Sequence, residues 1–151
     1  QDAARWAALV RGDGCPLCAR SQEAGVVAEM ECCIVTADPA IGVRGYCCLV
    51  LKRHAVELHD LSDAEGDALM RDIRRAPAAV QQITGAVKMN YEIYGNVVPH
   101  VHVHLVPRYP GDAIERTGRG FNAQTEAAYA PGEHAAFVEQ LAAQLSFPAG
   151  R

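Results

Sequence analysis

Three of the six histidines of this 151-residue chain stand at alternate positions. They are His100, His102 and His104, with valines between them and Pro99 and Pro107 outside. Valine-rich alternation over so short a run predicts a β-strand, whose side chains repeat every second residue. All three imidazoles then leave one face, while Val101, Val103 and Leu105 line the other. Rings held side by side on a rigid element suit three tasks: holding a metal, relaying protons, or attacking an electrophile. Solvated or core histidines are a poor account of so strict an alternation inside an apolar strand, and the triad is read as functional.

Cys15-Pro16-Leu17-Cys18 has the spacing of a zinc knuckle, whose thiolates bind zinc at about 2.3 Å. Two cysteines complete only half of a tetrahedral set, so distant histidines must supply the rest. The candidates are His54, at the end of a strand, and one member of the triad. His59 and His134 are expected to be solvated surface histidines. A thioredoxin-like redox pair has the same C-x-x-C spacing, but it opens a helix after a buried strand, whereas this pair follows a short helical segment and two glycines. Cys32-Cys33 and Cys47-Cys48 lie in apolar runs, where adjacent side chains face opposite sides and a bridge within either pair would be distorted. They are expected to be buried thiols; a disulfide between the two runs is the alternative.

The elements that must position these groups follow from pattern and punctuation. Ala3 to Val10 predicts a short helix ended by Gly12-Asp13-Gly14. Val26 to Thr36 and Tyr46 to Leu51 predict strands, the second fully buried. Ser62-Asp63-Ala64-Glu65 is a capping box that opens a long helix. Leu69, Ile73, Val80 and Ile83 form its apolar stripe, Pro77 is expected to kink or interrupt it, and Gly85 ends it. Val87 to Ile93 predicts a third strand, leading through Tyr94-Gly95-Asn96 to the histidine strand. The segment 110–132 has no clear period and reads as a long surface loop. A last helix over Glu133 to Leu145 carries Phe137, Leu141 and Leu145 on one face. The expected fold class is α+β, a mostly antiparallel sheet of about five strands with one long and one C-terminal helix.

Half of the residues are hydrophobic and 21% are charged, the balance of an ordinary globular protein. A net charge of −4 argues against a polymeric nucleic acid as partner; a single nucleotide needs only backbone donors and a few aimed side chains. No apolar run approaches the ~20 residues that span a bilayer, and no signal peptide is visible. No membrane partner is expected, and the cytoplasm is the expected compartment. With no repeat or linker, residues 1–151 are expected to form one domain.

Asn90 through Arg108 closely resembles the signature of the histidine triad (HIT) family of nucleotide hydrolases and transferases. Lys52-Arg53-His54 at a strand end, followed by a leucine-rich segment and Asp60, is similar as well. So is Cys15-x-x-Cys18, as in the zinc-containing branch. The similarity runs from about Cys15 to Arg108. It implies that His102 is the nucleophile, flanked by His100 and His104, and that Cys15, Cys18, His54 and His100 hold a structural zinc; no organic cofactor is implied. It places Asp38 at the ribose hydroxyls, Asn90 beside the phosphate and Asn96 near the leaving group. Val97 stands where the family often has a phosphate-binding Ser or Thr, one contact fewer. The resemblance also implies a homodimer, joined edge to edge through the third strand and the long helix.

A neutral imidazole is a competent nucleophile near pH 7. The expected reaction is attack by His102 on the α-phosphorus of a nucleoside phosphate derivative, of dinucleoside polyphosphate or nucleoside phosphoramidate type. Water then releases the nucleotide from a nucleotidyl-histidine. One nitrogen of His102 must be free, so the other should donate to an acceptor nearby. His104 would donate to a non-bridging oxygen, and His100 would fasten the strand to the knuckle. The alternatives are a zinc hydrolase using all three histidines as ligands, and a non-catalytic nucleotide-binding dimer with a structural zinc. Arg108 and Arg119 are expected to be ordinary surface arginines, and Tyr91, Ile93 and Tyr94 core or interface residues.

Overall fold

A computed structural model describes residues 2–20, 25–112 and 129–146. Short helices α1 (Ala3–Val10) and α2 (Pro16–Arg20) precede three strands, β1 (Val26–Glu29), β2 (Cys33–Thr36) and β3 (Cys47–Leu51). The long helix α3 (Asp63–Thr84) follows, then β4 (Lys88–Glu92), β5 (His102–Arg108) and α4 (Glu133–Ser146). The strands form one antiparallel sheet in the order β1-β2-β3-β5-β4. The histidine strand is therefore an inner one. The expected α+β class, strand number, long helix and C-terminal helix are all present.

The two faces of the sheet have different work. Cys47, Leu49, Leu51, Val101, Val103 and Leu105 meet Leu69, Val80, Phe137, Leu141 and Leu145 of α3 and α4 in the main core. On the other face Ile34, Tyr46, Cys48, Val50 and Val106 form a smaller cluster, with Leu17 of α2 against it. His102 pairs with Val50 and His104 with Cys48 across the β3–β5 ladder. Strand alternation thus puts these two imidazoles on the face away from α3 and α4.

The predicted single strand over Val26 to Thr36 is two strands of a hairpin. Asp72 of α3 is the reason: its buried carboxylate accepts the N–H groups of Glu31 (3.2 Å), Cys32 (2.9 Å) and Cys33 (3.0 Å). The Met30 N–H closes the turn on the Cys33 carbonyl at 2.8 Å. Cys32 consequently sits in the turn, its sulfur 3.8 Å from that of Cys33, whereas Cys47 and Cys48 face opposite sides as alternation requires. All six cysteines are free thiols, so no disulfide joins the two runs.

Helix α3 runs unbroken through Pro77 for 22 residues, against the expected interruption. Ser62 and Glu65 form the predicted capping box, and Gly85 ends the helix at φ 71°, a left-handed conformation that glycine adopts without strain. Pro77 is fully buried, and the hydrogen bond it removes is offset by packing on the core side. His100 lies just before β5 rather than within it. Its carbonyl is taken by the ring of His102, so the ladder to β3 begins two residues later.

Candidate active site and metal centre

The chain brings Cys15, Cys18, His54 and His100 together, with all four ligand atoms within 4.8 Å of one another. Cys15 Sγ lies 3.4 Å from His100 Nδ1, and Cys18 Sγ lies 3.3 Å from His54 Nδ1 and 3.5 Å from His100 Nδ1. The two Nδ1 atoms are 3.2 Å apart. Zinc at ordinary bond lengths separates tetrahedral ligands by about 3.3 Å for a nitrogen pair and about 3.6 Å for nitrogen and sulfur. The four side chains fit that ion. Each ring also has its far nitrogen engaged: His54 Nε2 donates to the Val10 carbonyl at 3.1 Å and His100 Nε2 to the Leu51 carbonyl at 2.8 Å. Both Nδ1 lone pairs are thereby turned inward, the outer-shell pattern of a metal-binding histidine. Burial holds His100 below the usual imidazole range, which favours the neutral, ligating form.

The redox reading of Cys15 and Cys18 has little support in this arrangement, because both sulfurs face two histidines and the pair opens only the single turn of α2. A hydrolase in which all three triad histidines bind one ion is also disfavoured. His100 turns into the knuckle, while His102 and His104 stand on the open sheet face, and among the described residues neither belongs to a cluster that could hold a metal ion.

His102 is half-buried, and its Nδ1–H donates to the carbonyl of His100 at 2.6 Å. That bond fixes the ring and leaves Nε2 with its lone pair, as a nucleophilic imidazole requires. His104 lies next to it, ring centroids 4.9 Å apart and nearly perpendicular. Burial, then the neighbouring His102, holds His104 down to about 4, so it is neutral at pH 7. The phenol of Tyr46 lies 2.7 Å from His104 Nδ1, with the two rings stacked at 6.0 Å. Burial, reinforced by Cys48 and Cys47, pushes that phenol far above its usual range. Tyr94 covers His104 from the loop after β4, ring centroids 6.0 Å apart.

The remaining candidates lie at varying distance from this centre. Asn90, on β4, pairs with Val106 of β5 and shares the face of His104, two ladder rungs from the Glu92–His104 pair. Asp38 follows β2, and its Oδ1 accepts the Ala40 N–H at 2.9 Å, forming a turn that precedes the loop to β3. Asn96 and Val97 are exposed on the loop before Pro99. Arg108 is buried, not the expected surface arginine, and pairs with Asp112 at 2.9 Å. Arg119, and most of the segment 110–132 read as a long surface loop, lie outside the described residues. His59 is exposed as expected, but His134 is half-buried, its ring against Tyr129 at 5.0 Å. Tyr91, Ile93 and Tyr94 are 49%, 44% and 54% exposed, which removes the core alternative for them. Pattern reading missed Tyr46 as a site residue; its place two residues before Cys48 was the signal, since alternation puts both on the histidine face.

Comparison with known proteins agrees with this geometry. The model of the HIT domain family matches residues 19–111. A histidine triad protein from Bradyrhizobium japonicum superposes with a TM-score of 0.70 at 27% identity, covering 84% of this chain and 94% of that one. A zinc-bound histidine triad family protein from Mycobacterium smegmatis gives 0.62 at 26% identity, covering 87% and 95%. Among curated proteins, the asymmetrical bis(5'-nucleosyl)-tetraphosphatase of Schizosaccharomyces pombe is 30% identical over 76 residues, 47% of this chain and 42% of its own length. The AP-4-A phosphorylase of Mycobacterium tuberculosis is 32% identical over 75 residues, 46% and 38%. The matched segments span less than half the length of these curated relatives. Among the described residues no helix is long and apolar enough to cross a membrane.

Proposed function

The chain belongs to the HIT domain family, and on that premise we propose that it is a nucleotide hydrolase or transferase working at the α-phosphate of nucleoside phosphate derivatives. The substrates are of dinucleoside polyphosphate or nucleoside phosphoramidate type, in keeping with the tetraphosphatase and phosphorylase named among the relatives. The observation that carries the proposal is the 2.6 Å bond from His102 Nδ1–H to the His100 carbonyl, which presents Nε2 as a lone pair.

The Nε2 lone pair forms the bond to phosphorus as the bond to the leaving group breaks and carries its electron pair away. The ring, now bonded at Nε2 and still protonated at Nδ1, becomes cationic. The His100 carbonyl then accepts a charge-assisted bond, stronger than before, at no cost in reorganisation. His104 donates to a non-bridging oxygen. Water then attacks the phosphorus, the P–N bond breaks with its electron pair returning to Nε2, the water's proton passes to solvent, and neutral His102 is restored with the nucleoside monophosphate released. Asp38, Asn90 and Asn96 are proposed for the ribose, the phosphate and the leaving group.

Zinc held by Cys15, Cys18, His54 and His100 would serve as a structural cross-link, since four protein ligands close its shell. His100 joins both parts: its ring faces the knuckle and its carbonyl holds the nucleophile. We also propose a homodimer through β4, which is an edge of the sheet and carries the exposed Tyr91, with Ile93 beside it and Met70 exposed on α3. The whole reading is tested by digesting protein quenched during turnover and locating a nucleoside monophosphate on His102. A nucleotidyl-histidine is labile to acid and survives alkali. Binding of nucleotide with no adduct and no turnover would select the non-catalytic alternative.

A further inference from the structure

We infer that Tyr46 is a positioning residue of the triad, whose hydroxyl holds His104 in the form that carries its proton on Nε2. What the ring does to a substrate rests on the α-phosphate reading; how the ring is held does not. The two groups are buried, at 6% and 8% exposure, and meet at 2.7 Å on the sheet face opposite α3 and α4.

Two arrangements fit that distance. The phenol can donate to Nδ1, or an Nδ1–H can donate to the phenol oxygen. A phenol is a much stronger acid than the N–H of a neutral imidazole, and an imidazole nitrogen is a stronger base than a phenol oxygen. The O–H to Nδ1 bond is therefore the favoured one, and a buried donor and acceptor are both satisfied by it.

Several groups from neighbouring elements pack around His104. Facing it are Cys48, its pair on β3, Glu92, its pair on β4, Tyr94 from the following loop, and His102 on its own strand. The Glu92 carboxylate accepts the Tyr94 hydroxyl at 2.9 Å. Arg20, at the end of α2, is the cation whose field reaches Tyr46 and Cys48. A neutral ring has one N–H only, so the tautomer decides what the outer edge presents. With the proton on Nε2, His104 offers a donor to an anionic phosphate oxygen. With the proton on Nδ1, it would present a lone pair there and repel the same oxygen. Tyr46 separates these two outcomes without touching substrate.

The test is the ring nitrogen spectrum of His104 in ¹⁵N-labelled wild-type protein, with Tyr46→Phe as the variant. The wild type should show a protonated Nε2 and a hydrogen-bonded, unprotonated Nδ1. In Tyr46→Phe the Nδ1 signal should move to that of an unbonded nitrogen, and the two tautomers should mix. Single-turnover rates should fall about 10-fold with little change in KM, since one aimed donor is lost for part of the population. In a His104→Ala background, Tyr46→Phe should cost nothing more. A wild-type His104 protonated on Nδ1 would overturn the inference, and that measurement needs no variant to fold. An equal loss with and without His104 would also overturn it, because it would show Tyr46 acting only through packing. Absence of nucleotidyl transfer in the wild type would sink the proposed function instead, leaving the spectrum to decide Tyr46.

Discussion

Replacing Asp72 by Ala should be among the most damaging single changes outside the site. The carboxylate is 3% exposed and receives three backbone N–H groups from the β1–β2 turn, at 3.2, 2.9 and 3.0 Å. Hydrogen bonds to a charged acceptor contribute roughly 1.5–3 kcal/mol each, and a buried donor left without a partner costs about 1–3 kcal/mol. Glu31 is exposed and Cys32 half-buried, so water can replace the carboxylate at those two N–H groups; Cys33, 1% exposed, has no such recourse. The sum expected is about 3–4 kcal/mol, a large part of the roughly 5–15 kcal/mol that holds a domain together. Urea unfolding should show the midpoint falling by about 1–2 M at an unchanged slope. Asp72→Asn should lie between, since one oxygen remains to accept while the amide turns donors towards donors. A loss under about 1 kcal/mol for Asp72→Ala would refute the claim that this carboxylate makes the turn.

Other outcomes follow from the site. His104 is held neutral in the folded protein, near 4, against 6.5 when free, so the unfolded chain takes the proton first. Stability should be fully present above pH 6.5 and should fall as the pH drops towards 4, by at most about 3 kcal/mol. His104→Asn should lose that part of the pH dependence, and identical acid profiles for both proteins would contradict it. Elemental analysis should find one zinc per chain, absent from Cys18→Ser and His100→Ala. Their melting temperatures should fall by about 10 °C or more, with activity reduced indirectly; zinc-free protein with an unchanged melt would remove the structural role. Tyr91→Lys on the edge of β4 should shift light-scattering mass from dimer to monomer, and a wild-type monomer would dispose of the proposed interface.

How much of this was legible in the sequence depended on how local each cause was. The alternation at His100 to His104, the Ser62–Glu65 capping box and the Phe137, Leu141, Leu145 stripe each declare themselves within a few residues, and the structure shows the strand from His102 onward, the cap and the buried face. The proposed zinc ligand set is spread over 86 positions, from Cys15 to His100. Spacing identified Cys15 and Cys18, and the family resemblance was needed to choose His100 from the triad. The hairpin within Val26 to Thr36 was hidden because its cause, Asp72, lies about 40 residues away on a helix. Arg108 was misread for a similar reason: its burial is set by the sheet around it and by Asp112, while its type alone suggests a surface. Tyr46 reads as one more apolar strand residue until the register places it across from the histidine strand. Pro77 shows the opposite case, a local signal overridden by burial and by firm caps at both ends of α3.

The central claim is that Nε2 of His102 forms the bond to phosphorus, and covalent labelling measures it most directly. Wild-type protein and His102→Ala would be mixed with a nucleoside phosphate derivative labelled at the α-phosphorus, quenched in alkali within one turnover, and counted for label per protomer. Calorimetry on both proteins with nucleoside monophosphate would report binding separately. The account predicts label on the wild type that is lost in acid, none on His102→Ala, and nucleotide affinities that agree within a few-fold, because binding is shared among other groups. Near-wild-type turnover by His102→Ala, or label that persists in it, would contradict the account.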